Sequence, residues 1–261
     1  LVFWFLESKG LSFALMFSLV VLITSCKEST TEPAPNKTSS NYFPNSNGNN
    51  YFYSISVSDS SGVQSGTKKT YYDGDTTLLE TPYQIEVDSF NINGIQSVNK
   101  SFFRKSDTGV FNYVDIDSNA FNSIIPDSIR GAISFGQEYR LLYQPFELYQ
   151  TWPVYKVSVN YLSFQFDILT IDAKVLSKST IDLTINNSAI TKEVFIIRFT
   201  TKLTTDINQP PTTYEAKGWI AEGIGFIRWE GSSEIINFLS GRNVYLPGTY
   251  VIEELYSYKS L

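Results

Sequence analysis

Residues 157–175 read VSVNYLSFQFDILTIDAKV, and the order of apolar positions in this stretch decides the fold class. Val157, Val159 and Tyr161 alternate with polar residues. The apolar phase then moves to Leu162, Phe164, Phe166 and Ile168, and moves again to Leu169, Ile171, Ala173 and Val175. Period-two alternation is the mark of a β-strand, because successive side chains point to opposite faces. Each change of phase requires a bulge or a turn. A long, bent strand that curls a sheet is the expectation for this segment.

The same period extends in both directions. Residues 51–57, 68–72, 81–90, 96–105 and 110–116 precede it as strand candidates. Residues 154–176, 179–185, 193–204, 212–220, 224–230 and 242–259 complete the set. Turn chemistry separates them. Ser106-Asp107-Thr108-Gly109 suits a hairpin loop, and Leu246-Pro247-Gly248-Thr249 suits a type II turn. In 193–203, Phe195, Ile197, Phe199 and Leu203 share one face while Val194 and Ile196 occupy the other. That strand is expected to be central and covered on both sides. Helical signals are few. Residues 119–130 contain Pro126, which allows only a short or broken helix. Residues 232–239 could form two turns, with Ser232 or Ser233 as N-cap and Gly241 past the end. The expected fold is mainly β: one curved antiparallel sheet, half-barrel or sandwich-like, with one or two short helices.

Composition narrows the chemistry. Apolar residues make up 42% and aromatics 15%, ample material for a core, and charged residues 18%. There is no histidine, which removes every mechanism that needs an imidazole. The single cysteine, Cys26, cannot form an internal disulfide or a four-thiolate metal site. The net charge is −6 and no basic run exceeds Lys68-Lys69, so a nucleic-acid face is not expected.

The N-terminal segment speaks to location. Residues 11–23 (LSFALMFSLVVLI) are almost uninterruptedly apolar. The run is shorter than the about 20 residues of a membrane span and fits the about 7–15 of a signal-peptide core. Lys9 precedes it, and Ile23-Thr24-Ser25-Cys26 follows. An aliphatic residue, two small ones and Cys resemble the lipobox of bacterial lipoproteins. That resemblance implies recognition by a membrane peptidase through Ile23, Thr24 and Ser25, cleavage before Cys26, and acylation of Cys26. The chain opens on Leu1 and its only Met is Met16, pointing to a non-AUG start or a truncated sequence. Lys27-Glu28 after the cysteine favours the outer membrane over inner-membrane retention. Residues 27–50 are rich in Ser, Thr, Asn and Pro, the composition of a flexible tether. The expected organisation is a signal peptide (1–25), a lipidated cysteine with its tether (26–41) and one β-rich domain (42–261).

Candidate sites are sparse. Asp115-Ile116-Asp117-Ser118-Asn119 starts like a calcium loop, but Ala120 and Pro126 stand where Gly and Glu are required. Gly218, Gly223 and Gly225 do not form a phosphate-binding loop; Gly223-Ile224-Gly225 fits a bend or close backbone approach. No spacing singles out a pair of carboxylates. Asp75-Thr76-Thr77 and Asp127-Ser128-Ile129 resemble the O-glycosylation triplets of Bacteroidota. Trp152, Trp219 and Trp229 are candidates to line a sugar platform or apolar pocket, with core packing the preferred reading. No catalytic residues, metal site or cofactor are expected.

Two segments resemble those of uncharacterised Bacteroidota and Ignavibacteria-type envelope lipoproteins. One is the opening Tyr42-Phe43-Pro44, Gly48-Asn49, Tyr51-Phe52-Tyr53. The other is the closing Gly223-Ile224-Gly225-Phe226-Ile227-Arg228, followed by Glu254-Leu255-Tyr256-Ser257-Tyr258. The resemblance implies a curved antiparallel sheet like an open half-barrel and brings no catalytic residues. The expected function is a non-enzymatic, lipid-anchored binding or scaffold module, with an apolar ligand on the curved sheet as one form. The alternative is a surface glycan-binding or glycan-processing lipoprotein.

Overall fold

The computed structural model describes residues 41–114, 132–161, 164–206, 208–241 and 243–259. The expected signal peptide (1–25) with Ile23, Thr24 and Ser25, the expected lipidation site Cys26 with the stretch up to residue 40, and the whole of 115–131 lie outside these residues. The calcium-like turn, the 119–130 helix and the Asp127 triplet therefore fall outside as well.

Thirteen strands form one antiparallel sheet, in agreement with the alternation seen in the sequence. They are β1 (Asn50–Asp59), β2 (Gly62–Leu78), β3 (Thr81–Ile92), β4 (Ile95–Ser106), β5 (Gly109–Tyr113), β6 (Ile133–Phe135) and β7 (Glu138–Tyr143). Then follow β8 (Thr151–Tyr161), β9 (Phe164–Ile185), β10 (Ser188–Leu203), β11 (Thr212–Ala221), β12 (Gly225–Ser232) and β13 (Tyr250–Lys259). The helix α1 (Ser233–Leu239) links β12 to β13. The spatial order is β6-β8-β9-β10-β11-β12-β13-β1-β2-β3-β4-β5-β7. Two meanders thus meet where the first strand pairs with the last, Ile55 opposite Glu253.

The segment 157–175 is two strands rather than one. Tyr161 pairs with Phe164, so the first change of phase is a hairpin turn. The second is a bulge: Val157 opposes Leu169, while Ser158 opposes Asp167. Ser177-Lys178, the gap between the strand candidates 154–176 and 179–185, lies inside the continuous β9, next to a second bulge at Leu176. Bulges raise local twist, and the curved sheet brings residues 136–140 within hydrogen-bond reach of β8. Residues 133–143 cross the seam. Ile133–Phe135 pairs with β8, and Glu138–Tyr143 pairs with β5. Across the seam, Trp152 donates its indole N–H to the Arg140 carbonyl (3.3 Å), and Tyr155 donates its hydroxyl to the Gly136 carbonyl (2.7 Å).

The interior is filled from within. Ile235, Ile236 and Leu239 of α1 are buried in the main core beside Ile197, Phe199, Ile220 and Val251. Ser232 occupies the N-cap position without a side-chain cap bond, and Gly241 follows the helix at φ +63°. Tyr139 donates its hydroxyl to the Leu239 carbonyl (2.6 Å) and fastens the helix end to β7. Phe195, Ile197 and Phe199 belong to the main core, whereas Val194 belongs to a second cluster, as expected for a strand covered on both sides.

Part of the polar stretch 27–50 is packed in the domain. Tyr42, Phe43, Asn45 and Asn49 are buried. Tyr42 meets Phe146 and Phe195 edge-on at 5.1 and 5.5 Å, and Phe43 lies 5.3 Å from Phe103. Two aromatic anchors and satisfied asparagines overcome a composition that suggests tether. This plug sits at the end of the sheet at which β1 begins and the expected tether enters, hereafter the tether end.

The second cluster forms where the β9–β10 hairpin reaches past its neighbours, bringing Ile185 and Val194 onto Ala221, Ile224, Ile227 and Leu255. Its tip is held by Asn186, which accepts from the Tyr258 backbone N–H (3.0 Å) and donates to the Tyr258 carbonyl (2.8 Å). The side-chain amide takes the place of a neighbouring strand. Asn186→Ala should cost about 1–2 kcal/mol. In hydrogen exchange, the Tyr258 amide should lose protection while central-strand amides keep theirs; an unchanged Tyr258 amide would sink this assignment.

Candidate functional site

Strand parity sets the chemistry of the interior. On β2, Lys68, Thr70 and Tyr72 point inward together; so do Tyr51 and Tyr53 on β1, Glu86 and Asp88 on β3, and Glu253 on β13. All of these except Asp88 and Glu253 line, with Phe43, Pro44, Phe103, Phe226 and Trp229, a cavity of about 60 Å³ between the plug and α1.

The polar groups are committed to one another. The Lys68 ammonium pairs with the fully buried Glu253 carboxylate and lies 4.2 Å from the centre of the Tyr53 ring. Tyr245 donates to the other Glu253 oxygen (2.6 Å). Thr70 bonds to Asp88, and Tyr72 donates to Glu86 (2.9 Å). Tyr53 and Tyr51 donate to the carbonyls of Phe226 (2.9 Å) and Pro44 (2.7 Å). Burial pushes all three phenols upward, with neighbouring carboxylates adding to the effect on Tyr53 and Tyr72. They stay protonated and remain donors. Such a network fixes four strands and the plug to each other, as satisfied buried polar groups do.

A second polar group sits nearer the surface at β3, β4 and β7. Arg104 forms a two-pronged pair with Glu138 (2.5 and 2.6 Å), and Tyr83 donates to the same carboxylate (2.5 Å). Burial raises the Glu138 pKa, but the bonds from Arg104 and Tyr83 outweigh it and the net direction is down. The Tyr83 phenol is pushed up to about 12 by burial and by Glu138. Arg104 and Arg140 both stack on Phe111, at 4.3 and 5.0 Å.

The tryptophan candidates do not share a surface. Trp152 and Trp229 are buried in the main core. Trp219 is half-buried under the Arg228 guanidinium, 5.3 Å from its ring. Because Trp219 pairs with Arg228 and Gly218 with Trp229, the two indoles of β11 and β12 face opposite sides. Trp229 lines the interior cavity. Trp152 borders a hollow of about 380 Å³ with Asp172, Lys174 and Arg198. A Cβ at Gly218 would meet the Phe226 ring at 2.7 Å. In the expected bend, Gly223 and Gly225 take positive φ (+75° and +100°); a Cβ on the first would meet nothing within 4 Å, and one on the second would lie 3.4 Å from the Pro44 ring. Lys68 and Glu253 were not singled out by the sequence, though Thr70 and Tyr72 beside one and Val251 and Leu255 beside the other mark inward positions.

Among the described residues, no group of three His, Cys, Asp or Glu could hold a metal ion, and no helix is long and apolar enough to cross a membrane. No family model and no curated protein matches the chain. Two solved structures align with it. One is a chain of Parabacteroides distasonis ATCC 8503, provisionally named a lipoprotein: 11% identity, 85% of this chain and 99% of that one, TM-score 0.42. The other is a chain of Bacteroides fragilis NCTC 9343, provisionally named an exported protein with a YmcC-like fold: 10% identity, 84% of this chain and 98% of that one, TM-score 0.43.

Proposed function

We propose that this chain is a lipoprotein of the bacterial outer membrane, anchored through acylated Cys26, and that its β-domain is a non-enzymatic scaffold or binding module. The anchor is supported by the apolar run 11–23 followed by Ile23-Thr24-Ser25-Cys26. More than one buried acyl chain is needed for stable attachment, at about 0.8 kcal/mol per CH₂.

The observation that carries the scaffold reading is the filled interior. The plug and α1 occupy the space under the curved sheet and leave about 60 Å³ with a mixed polar and apolar wall. Small-molecule sites usually begin at about 300 Å³. An acyl chain on the concave face would have to displace α1 or the plug. Partners are therefore expected on the outside of the domain.

Radiolabelled palmitate should enter the wild-type chain and fail to enter Cys26→Ala, which should also leave the membrane fraction. Equal labelling of both chains would defeat the anchor. Native mass spectrometry of residues 41–261 should give the mass of the bare polypeptide. A bound apolar molecule at stoichiometric level would replace the scaffold reading with a carrier.

A further inference from the structure

Among the described residues, three hairpins of this sheet turn through two residues that both have positive φ. Two of them use the residues that tolerate it: Asn93-Gly94 (φ +50° and +82°) and Asn186-Asn187 (+55° and +59°). The third, between β2 and β3, is Leu79-Glu80 (+48° and +65°). Leucine carries a steric penalty in this conformation, and Asn-Gly is the favoured pair. Leu79 is nevertheless there, 60% exposed. The β7–β8 connection repeats the pattern. Tyr149 has φ +65° and is 64% exposed, next to Leu148 at 50%. Backbone strain spent on displaying an apolar side chain to solvent has no folding rationale.

Both turns lie at the tether end. β2 and β7 run toward that end and β3 and β8 start from it, given their pairing with β1, β5 and β9. The chain also enters there. Asn41 accepts a hydrogen bond from Lys105 (3.0 Å) beside the β4–β5 turn, and its carbonyl accepts from Gly223 N–H (2.8 Å) in the β11–β12 turn. The residues between Cys26 and Asn41 span at most about 50 Å when extended, and about 20 Å as a flexible coil.

We propose that the Leu79 and Leu148–Tyr149 turns dock into the interfacial layer of the bilayer that holds the Cys26 anchor, so that the domain sits tether end down. The inference rests on the anchor proposed above. The tether keeps this end within reach of lipid, where the two turns expose Leu79, Leu148 and Tyr149. The flanking charges are mixed, Glu80 and Glu147 against Lys105 and Lys174, with the Lys174 ammonium 5.8 Å from the Tyr149 ring centre. Docking is therefore apolar and depends little on salt or on anionic lipid.

The test uses the full acylated chain in phosphatidylethanolamine–phosphatidylglycerol vesicles. Acylation occupies the only native thiol, so a fluorophore can be placed on Leu79→Cys or Tyr149→Cys, with Ile95→Cys and Phe164→Cys at the opposite end as comparisons. The first two probes should shift to the blue and lose most of their emission to a lipid-borne quencher, in low and high salt alike. The opposite-end probes should remain in water. Palmitate incorporation is measured on the same samples. Labelled chains whose Leu79 and Tyr149 probes stay in water overturn the docking and leave the anchor standing. Entry of the Ile95 or Phe164 probe instead overturns it in favour of the inverted orientation. A chain that takes up no palmitate removes the anchor and the docking with it.

Discussion

Glu253→Gln should destabilise the domain by about 3–5 kcal/mol, because it leaves the Lys68 ammonium buried without its counter-charge. The side chains of the pair are 4% and 0% exposed, so water cannot compensate. Urea unfolding followed by tryptophan fluorescence will measure the loss. The mechanism makes a second demand. Lys68→Met combined with Glu253→Gln should recover most of the stability, since neither member of the pair is then left as a charge without its partner and the glutamine oxygen still accepts from Tyr245. A double variant as unstable as Glu253→Gln would show that the loss has another source, such as repacking around Tyr53.

Gly231→Ala should be nearly as damaging, by about 3–5 kcal/mol, from overpacking and from strain at φ +143°. A Cβ at this position would lie 2.4 Å from the Glu215 carbonyl oxygen and 2.5 Å from the Ala216 Cα, both backbone atoms of the paired strand. Neither can move without breaking the β11–β12 ladder, in which Gly231 faces Ala216. Gly248→Ala provides the contrast. It has φ +79° but nothing within 4 Å, so only the conformational penalty of about 1 kcal/mol applies. Comparable melting temperatures for the two variants would refute the close-contact explanation.

The strands and their inward faces were legible because alternation is a local signal. Residues 51–57, 81–90 and 212–220 each show it without help from the rest of the chain, and each is a strand. The Pro247-Gly248 turn was legible for the same reason, with Gly248 at positive φ. Residues 133–143 were not. Their pairing is split between β8 and β5, and Ile133-Ser134-Phe135 is too short to establish a period. The plug at 42–49 was hidden by its asparagines, whose burial depends on bonds such as Asn49 to the Pro44 carbonyl (3.2 Å). The polar network was half visible. Lys68 and Glu253 share the parity of the inward Thr70 and Tyr72 and of Val251 and Leu255, but they were not singled out, and nothing local shows that residues 185 positions apart meet. The Leu79 turn misleads any reading of turn chemistry, because the residue that sits there is the one such chemistry disfavours.

The seam between β7 and β8 has a consequence for how this architecture can vary. A fully closed barrel must keep strand number, stagger and tilt mutually consistent, so adding or shortening one strand disturbs them all. Here the circumference is fastened by two side-chain clasps, Trp152 and Tyr155, and by a covalent crossing at Gly136-Gln137. Closure is thus a local matter. The gap along this line can widen or narrow by a change in the crossing segment alone, while the ladders of the open sheet keep their register.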